Sequence, residues 1–147
     1  MNTLSFFHGA ALIRVIRHEL FNSVKVYAEN DCSYLINDLS GIYIKYSQKR
    51  LPPWSFTFSR DHVHEIEEMS QQLGQVYIVL VCNEDGICCL NWQEFATVIS
   101  TESKTYPKWI SVSRMKGEKY SVWGRDGELR HKIGNIDFPR KIFIGGN

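Results

Sequence analysis

Six consecutive apolar residues, Val76 to Val81, constrain the fold of this chain more than any other feature. A strand that is apolar at every position has to be covered on both of its faces. The run follows a helical pattern that begins at Ser59 or Asp61 and ends near Leu73. Because another strand precedes that helix, we expect a right-handed crossover that places the two strands parallel.

The strand before the crossover, Ile42–Ser47, carries a lysine in its middle. Its residues alternate between an apolar face and a more polar face, and Pro52 and Pro53 end it because neither can donate to a ladder. The region around its end is cationic and closes on a large aromatic residue: Lys45, Lys49, Arg50 and Trp54. Lys45 either faces solvent on the wet side of a sheet or points into a polar cleft that binds phosphate, and the sequence leaves both interpretations open.

The other predicted elements complete an α/β (α+β) pattern. In chain order they are a helix over residues 5–21, strands over 24–28, 33–37 and 55–58, a hairpin strand over 87–90, a helix over 91–99, and strands over 109–114, 120–123 and 129–133. Asp85-Gly86 predicts the hairpin turn, and Asn91 with Glu94 predicts a capping box. The stripe that the first helix is expected to bury includes Phe6, Ala10, Ile13 and Leu20. Leu12, Val15 and Ile16 widen it, so most of the circumference of the helix is expected to be buried.

Composition bounds the class of protein. With 147 residues, of which 44% are hydrophobic, the chain is long and apolar enough for a single domain with its own core. No apolar run approaches the roughly 20 residues of a membrane span, and the first residues do not resemble a signal peptide. We therefore expect a soluble, cytoplasmic protein with no membrane partner. The four cysteines fit no zinc-binding spacing and are expected to be reduced.

Charge is distributed unevenly along the chain. Residues 1–60 carry seven Lys or Arg against four Asp or Glu, residues 61–104 carry one against eight, and residues 105–147 carry nine against four. Two basic segments that flank an acidic one predict a surface with two poles. A basic face of this kind is the electrostatic footprint expected for nucleic-acid binding.

The order of helix, three-strand meander, helix and buried parallel strand resembles the restriction-endonuclease-like core of the PD-(D/E)XK nucleases. The strand Ile42–Ser47 is similar to the third core strand of that family, hydrophobic-x-hydrophobic-Lys. The resemblance covers residues 5–99 and implies a mixed sheet with an αβββαβ core. Residues 106–147 are expected to add β-hairpins to the same domain.

The resemblance also implies a chemistry. In that family an Asp near the second strand and an acidic residue two positions before the lysine hold one or two Mg²⁺ ions, and the lysine stabilises developing charge. Lys45 matches the catalytic lysine, and Asp31 and Asp38 are the candidates for the upstream catalytic, metal-binding acid. Tyr43 stands two positions before the lysine, where the family has a carboxylate, and a neutral phenol is a poor Mg²⁺ ligand.

The register of the hairpin decides which acid shares a face with Lys45. One register pairs Lys45 with Tyr34 and brings Asp38 to its face. The other pairs Lys45 with Ser33 and brings Asp31 to its face instead. The sequence does not choose between them.

Nucleic-acid binding with weak or absent cleavage is the first of three functions that these residues predict. Phosphates would be contacted by Lys45, Lys49 and Arg50, and a base or sugar would stack on Trp54 or Tyr43. The C-terminal strands would extend the surface with basic and aromatic side chains: Arg114, Lys116, Lys119, Arg125, Arg130 and Lys132 beside Trp109, Tyr120 and Trp123.

Two alternatives remain open. One is an active Mg²⁺-dependent endonuclease that uses Asp31, Asp38 and Glu19 as its carboxylates. The other is a protein-binding inhibitor or regulatory module that sets an acidic helix against a basic partner. The acidic residues of that helix are Asp61, Glu65, Glu67 and Glu68. The oligomeric state is not indicated by the sequence.

Overall fold

A computed structural model describes residues 2–144, which form two β-sheets and four α-helices. The helices are α1 (Thr3–Ile16), α2 (Arg60–Gln72), α3 (Trp92–Val98) and α4 (Arg140–Phe143). The strands are β1 (Val24–Val26), β2 (Ser33–Ile36), β3 (Ser40–Ser47), β4 (Trp54–Phe58), β5 (Gln75–Cys82), β6 (Gly86–Asn91), β7 (Lys108–Ser113), β8 (Ser121–Gly124) and β9 (Gly127–Glu128). The predicted α+β class is confirmed. None of the helices in this range has the length and apolar character needed to cross a membrane.

The first sheet has the strand order β1-β2-β3-β5-β6. Strands β3 and β5 run parallel, with Lys45 beside Leu80, and the other neighbouring pairs are antiparallel. The crossover between β3 and β5 contains α2, as predicted from the apolar run. The hairpin between β5 and β6 and the capping box of Asn91 and Glu94 are also confirmed.

Each face of the first sheet has its own hydrophobic cluster. On one face, Phe7, Ala11 and Val15 of α1 pack with Ile42 and Ile44 of β3. On the other face, the cluster contains side chains of α2, of the first sheet and of the second sheet. Because β5 lies between both clusters, its residues from Val76 to Val81 are all buried. The continuous apolar run in the sequence is explained by this position.

The orientation predicted for α1 is wrong. Phe6 and Ile13, assigned to the buried stripe, are exposed, whereas Phe7 and Ala11 are buried. Val15 is buried, as predicted. The helix ends at Ile16 rather than near residue 21. Apolar residues occur around most of its circumference, so their spacing did not determine which stripe faces the sheet.

The second sheet has the order β4-β7-β8-β9 and joins distant parts of the chain. Strand β4 precedes α2, yet it pairs antiparallel with β7, with Phe56 opposite Ile110. The alternate residues Trp54, Phe56 and Phe58 of β4 are buried, and Ser55 and Thr57 face away from the core. The C-terminal strands therefore complete the core rather than extending it from outside.

The strand predicted over residues 129–133 is not formed as such. Strand β9 ends at Glu128, and only an isolated bridge joins Tyr120 to Ile133. The chain bends at residues 130 and 131, where His131 Nε2 lies 2.6 Å from the Glu94 carboxylate of α3. This contact joins the segment to α3.

Candidate functional site

Lys45 lies in a polar recess rather than on an open sheet face. Its side chain is half-buried on the face that α2 covers, and its Nζ donates to His62 Nδ1 at 3.3 Å. The same nitrogen lies 5.3 Å from the centroid of the Phe58 ring. Among residues 2–144, no carboxylate oxygen comes within 4 Å of it. The recess therefore contains a lysine charge that no ion pair neutralises.

His62 is held against Lys45 by the start of α2. Ser59 Oγ accepts from the His62 backbone N–H at 3.2 Å, and the Ser59 backbone N–H donates to His62 Nδ1 at 3.1 Å. Because Nδ1 accepts from both Ser59 and Lys45, it carries no proton and the imidazole is neutral. Burial, together with the adjacent Lys45 charge, lowers the pKa of His62 below its ordinary value.

We expect Lys45→Met to raise the pKa of His62, because the substitution removes a neighbouring positive charge while keeping the length of the side chain. Histidine resonances followed by NMR across a pH titration would measure this pKa in both proteins. In the wild type, His62 should titrate below the ordinary range, with Nδ1 unprotonated. An unchanged pKa in the variant would contradict the contact between the two side chains.

Beside Lys45, a tyrosine hydroxyl connects strand β3 to α2. Tyr43 is fully buried, and its hydroxyl donates to Glu65 Oε1 at 2.5 Å. Burial and this hydrogen bond raise the pKa of Tyr43 far above its ordinary value, so the phenol stays protonated. The half-exposed Cys32 thiol lies next to the same hydroxyl, and burial raises the pKa of Cys32. Neither group is an activated nucleophile.

Burial also lowers the pKa of Lys45, and the nearby Cys32 and Glu65 groups oppose that effect. The positive form is thus disfavoured by its surroundings relative to an exposed lysine. A bound anion would compensate for this, because it restores favourable interactions that burial removes. The Lys45 ammonium would therefore favour a bound anion, whereas the Glu65 carboxylate would oppose it.

An open cavity of about 320 Å³ lies next to this recess, between α2 and the segment that leads from β1 to β2. Glu65 lines both the cavity and the recess. The Tyr27 hydroxyl donates to Gln72 Oε1 at the cavity wall. Access to the Lys45 region from this side therefore passes carboxylate and amide groups of α2.

Sequence reasoning missed His62 and Glu65 as partners of β3. The two residues are three apart on α2, and this spacing puts them on neighbouring positions of one helix face. Ser59 at the N-cap with His62 three positions later was the signal that could have fixed the ring. The acidic charge of the helix instead suggested an exposed surface for a basic partner.

Both predicted registers of the β2–β3 hairpin are wrong. Ser33 pairs with Tyr43 and Ile36 with Ser40, and the ladder reaches Cys32, whose carbonyl accepts from the Ile44 N–H at 2.9 Å. The turn is tighter than predicted because Asn37 and Asp38 both adopt positive φ, at 56° and 54°. Asp38 therefore lies at the turn, far along β3 from Lys45.

Asp31 and Asp38 do not fit a shared Mg²⁺ site. They lie beyond opposite ends of β2, which by itself extends about 10 Å at roughly 3.3 Å per residue. Asp38 forms an exposed ion pair with Lys25 at 2.7 Å, and Asp31 is exposed in the bend before β2. Glu19, the third candidate, is exposed beyond the end of α1. Within residues 2–144, no three His, Cys, Asp or Glu side chains are grouped as metal ligands.

Three residues predicted to touch nucleic acid are buried or already engaged. Trp54 is 1% exposed and donates its indole N–H to the Lys49 carbonyl at 2.8 Å, and Tyr43 is buried under α2. The prediction that either ring stacks on a base is wrong, because both belong to the core. Arg114 donates to the Asp85 carboxylate at 2.7 Å and lies over the Tyr120 ring, so its guanidinium has a structural partner instead of a phosphate.

The remaining predicted cations are accessible. Lys49 and Arg50 are exposed in the segment that follows β3, and Lys116 is exposed in the loop between β7 and β8. None of the three forms an ion pair within the described residues. The Trp54 hydrogen bond to Lys49 anchors the segment that carries the first two.

Comparisons with protein-family models, with curated proteins and with solved structures find no match for this chain. The resemblance to the PD-(D/E)XK core therefore stays a prediction that rests on the order of elements and on Lys45.

Proposed function

We propose that this protein binds nucleic acid through its phosphates at the carboxyl end of β3. The observation that carries the proposal is the half-buried Lys45 ammonium, which has no carboxylate within ion-pair distance in residues 2–144. Lys49 and Arg50, which are exposed, lie just after the same end of β3. One recessed and two exposed positive charges suit a ligand with repeated phosphates.

The start of α2 adds to the positive character of this position. His62 lies in the first turn of a 13-residue helix, and the amino end of a helix carries partial positive charge. The neutral imidazole forms no ion pair with the Lys45 ammonium, whereas a carboxylate at the same place would have done so. This arrangement supports anion binding.

The proposal concerns binding and includes no cleavage step, because Asp31 and Asp38 do not fit a common metal ion. The protein-binding alternative receives less support from α2. Glu65 accepts from Tyr43, and Glu68 pairs with His64 at 2.9 Å, so two of its carboxylates have internal partners.

We expect the double substitution Lys45→Ala with Arg50→Ala to weaken binding to labelled DNA and RNA oligonucleotides. Fluorescence anisotropy between about 50 and 200 mM salt would show the dependence of log Kd on log salt becoming shallower, by about 0.7 to 0.9 for each phosphate that the variant no longer neutralises. The effect should be similar for all sequences, because phosphates carry no sequence information.

Lys25→Ala is the matched control, since it also removes one exposed cation but one that is paired with Asp38 away from the site. Its affinity and salt dependence should equal those of the wild type. Lys45→Met with Arg50→Ala repeats the test with the half-buried side-chain stem retained. Unchanged affinity and salt dependence in both double variants would refute the proposed function.

A further inference from the structure

The outer face of the second sheet carries two tryptophans that the core does not use. Trp109 is 38% exposed and Trp123 is half-buried, while their neighbours Ile110 and Val122 point inwards and are buried. Neither ring belongs to or packs against the two hydrophobic clusters. Packing of the fold therefore gives no reason for two such large side chains on this face.

The strand register brings the two rings onto one surface. Ser111 pairs with Trp123 across β7 and β8, and Trp109 lies two residues before Ser111 on the same face. Trp109 and Trp123 are thus diagonal neighbours, a spacing of about 7–8 Å in an antiparallel pair. Small hydroxyl side chains occupy the other positions of this face: Ser55, Thr57, Ser111, Ser113 and Ser121. Ser111 is only 7% exposed although it lies on this face, so neighbouring side chains cover it, and Glu128 of β9 lies opposite Trp123.

Cations border this surface. Arg125 is exposed at the turn after β8. After β9 the chain continues beside β8, where the Leu129 N–H donates to the Val122 carbonyl at 3.0 Å. Arg130 and Lys132 follow in this segment and are exposed. These three cations form no ion pair within residues 2–144. One acidic residue, Glu128, lies among these cations without an ion pair in the described residues. It pairs with Trp123 across β8 and β9. Net positive charge therefore adjoins the two rings.

We propose that this face is a binding platform for single-stranded nucleic acid, in which bases stack on Trp109 and Trp123 and the bordering cations hold phosphates. Flat sheet surfaces with exposed aromatic residues stack unpaired bases, and such stacking tolerates any base because every base has a π-face. A duplex does not offer these faces, since its bases are stacked on one another. A neutral oligosaccharide would also stack on tryptophan but would have no use for the cations.

This inference deepens the proposed function by naming single strands as the ligand class. It rests on the proposed function because both assume that the ligand is a nucleic acid, but the two sites share no residues. The platform lies on the side of the second sheet that faces away from the core, whereas Lys45 lies on the first sheet. The two surfaces can therefore be tested separately.

The experiment measures the anisotropy of labelled single strands and duplexes with the variants Trp109→Ala and Trp123→Ala. Each should weaken single-strand binding about tenfold, within the range known for removing one stacked base, and should leave duplex binding unchanged. Trp109→Phe and Trp123→Phe, which keep an aromatic ring, should retain most of the affinity. Thr57→Ala, on the same face opposite Trp109, is the matched control and should bind as the wild type does.

Circular dichroism and thermal unfolding would verify that each variant is folded. If the tryptophan variants bind single strands normally while Lys45→Ala with Arg50→Ala loses affinity, the platform is refuted and the proposed function stands. If the tryptophan variants alone lose affinity, the platform stands and the Lys45 site is refuted. Wild-type protein that binds a neutral oligosaccharide through these rings, and no single strand, overturns the nucleic-acid assignment.

Discussion

Asp85→Ala should lower the free energy of unfolding by about 3 kcal/mol, because it leaves two enclosed donors without their acceptor. The Asp85 carboxylate accepts from Arg114 Nε at 2.7 Å and from the Tyr120 hydroxyl at 2.6 Å. The Arg114 and Asp85 side chains are only 12% and 24% exposed. Water therefore cannot fully replace the missing carboxylate. Urea unfolding followed by circular dichroism would give the difference.

Asp38→Asn is the matched control for this result, because asparagine removes the charge and tolerates the positive φ of Asp38. Asp38 also forms a carboxylate–cation contact of 2.7 Å, with Lys25, but both side chains are about 60% exposed. Exposed pairs of this kind contribute about 0–1 kcal/mol, so the variant should unfold close to the wild type. If Asp85→Ala and Asp38→Asn have the same effect, burial is not what makes the Asp85 contacts stabilising.

Lys141→Ala should destabilise the protein by about 3–5 kcal/mol, the range for removing one partner of a buried ion pair. Lys141 donates to the Cys89 carbonyl at 2.8 Å and to Glu94 Oε1 at 3.1 Å, and it is almost fully buried. Its neighbour Arg140 is exposed and lies 3.7 Å from Asp137. Arg140→Ala is therefore the control and should change the free energy of unfolding by less than about 1 kcal/mol. Equal effects at the two positions would contradict the structure.

The Lys141 substitution should also change how stability depends on pH. Burial alone would raise the pKa of Glu94, but hydrogen bonds from the Asn91 N–H, His131 and Lys141 outweigh burial and lower this pKa. A carboxyl group whose pKa is lower in the folded state than in the unfolded state stabilises the protein at pH values above the unfolded-state pKa. This contribution is lost as the pH falls through the folded-state pKa. Unfolding measured from neutral to acidic pH should therefore show a weaker Glu94 contribution in Lys141→Ala. An identical pH dependence of stability in the wild type and in Lys141→Ala would refute this expectation.

Some elements were predictable from the sequence because their apolar residues can be buried in only one way. The run from Val76 to Val81 required cover on both faces, and the preceding helix required a crossover, so the parallel pairing with β3 followed. The first helix lacked such a constraint, because apolar residues occur on several of its sides. Packing against Ile42 and Ile44 determines that the side of the helix with Phe7 faces the sheet.

The candidate site was predictable in its centre but not in its surroundings. Lys45 was recognisable as a lysine in the middle of a strand, because local alternation determines its face. Its neighbour His62 depends on how α2 docks across the sheet, which no local pattern specifies. The positions of Asp31 and Asp38 depended on a turn in which two residues adopt positive φ, and this conformation shifted the register.

The pairing of β4 with β7 has a consequence for how the molecule folds. Residues 54–58 find their partner only in residues 108–112, about fifty positions further along the chain. Contacts between such distant segments slow folding, because a long loop must close before they form. During synthesis the first hundred residues would hold an unpaired strand edge and an open apolar surface until β7 emerges. We therefore expect a shortened chain that ends before β7 to aggregate rather than to fold independently.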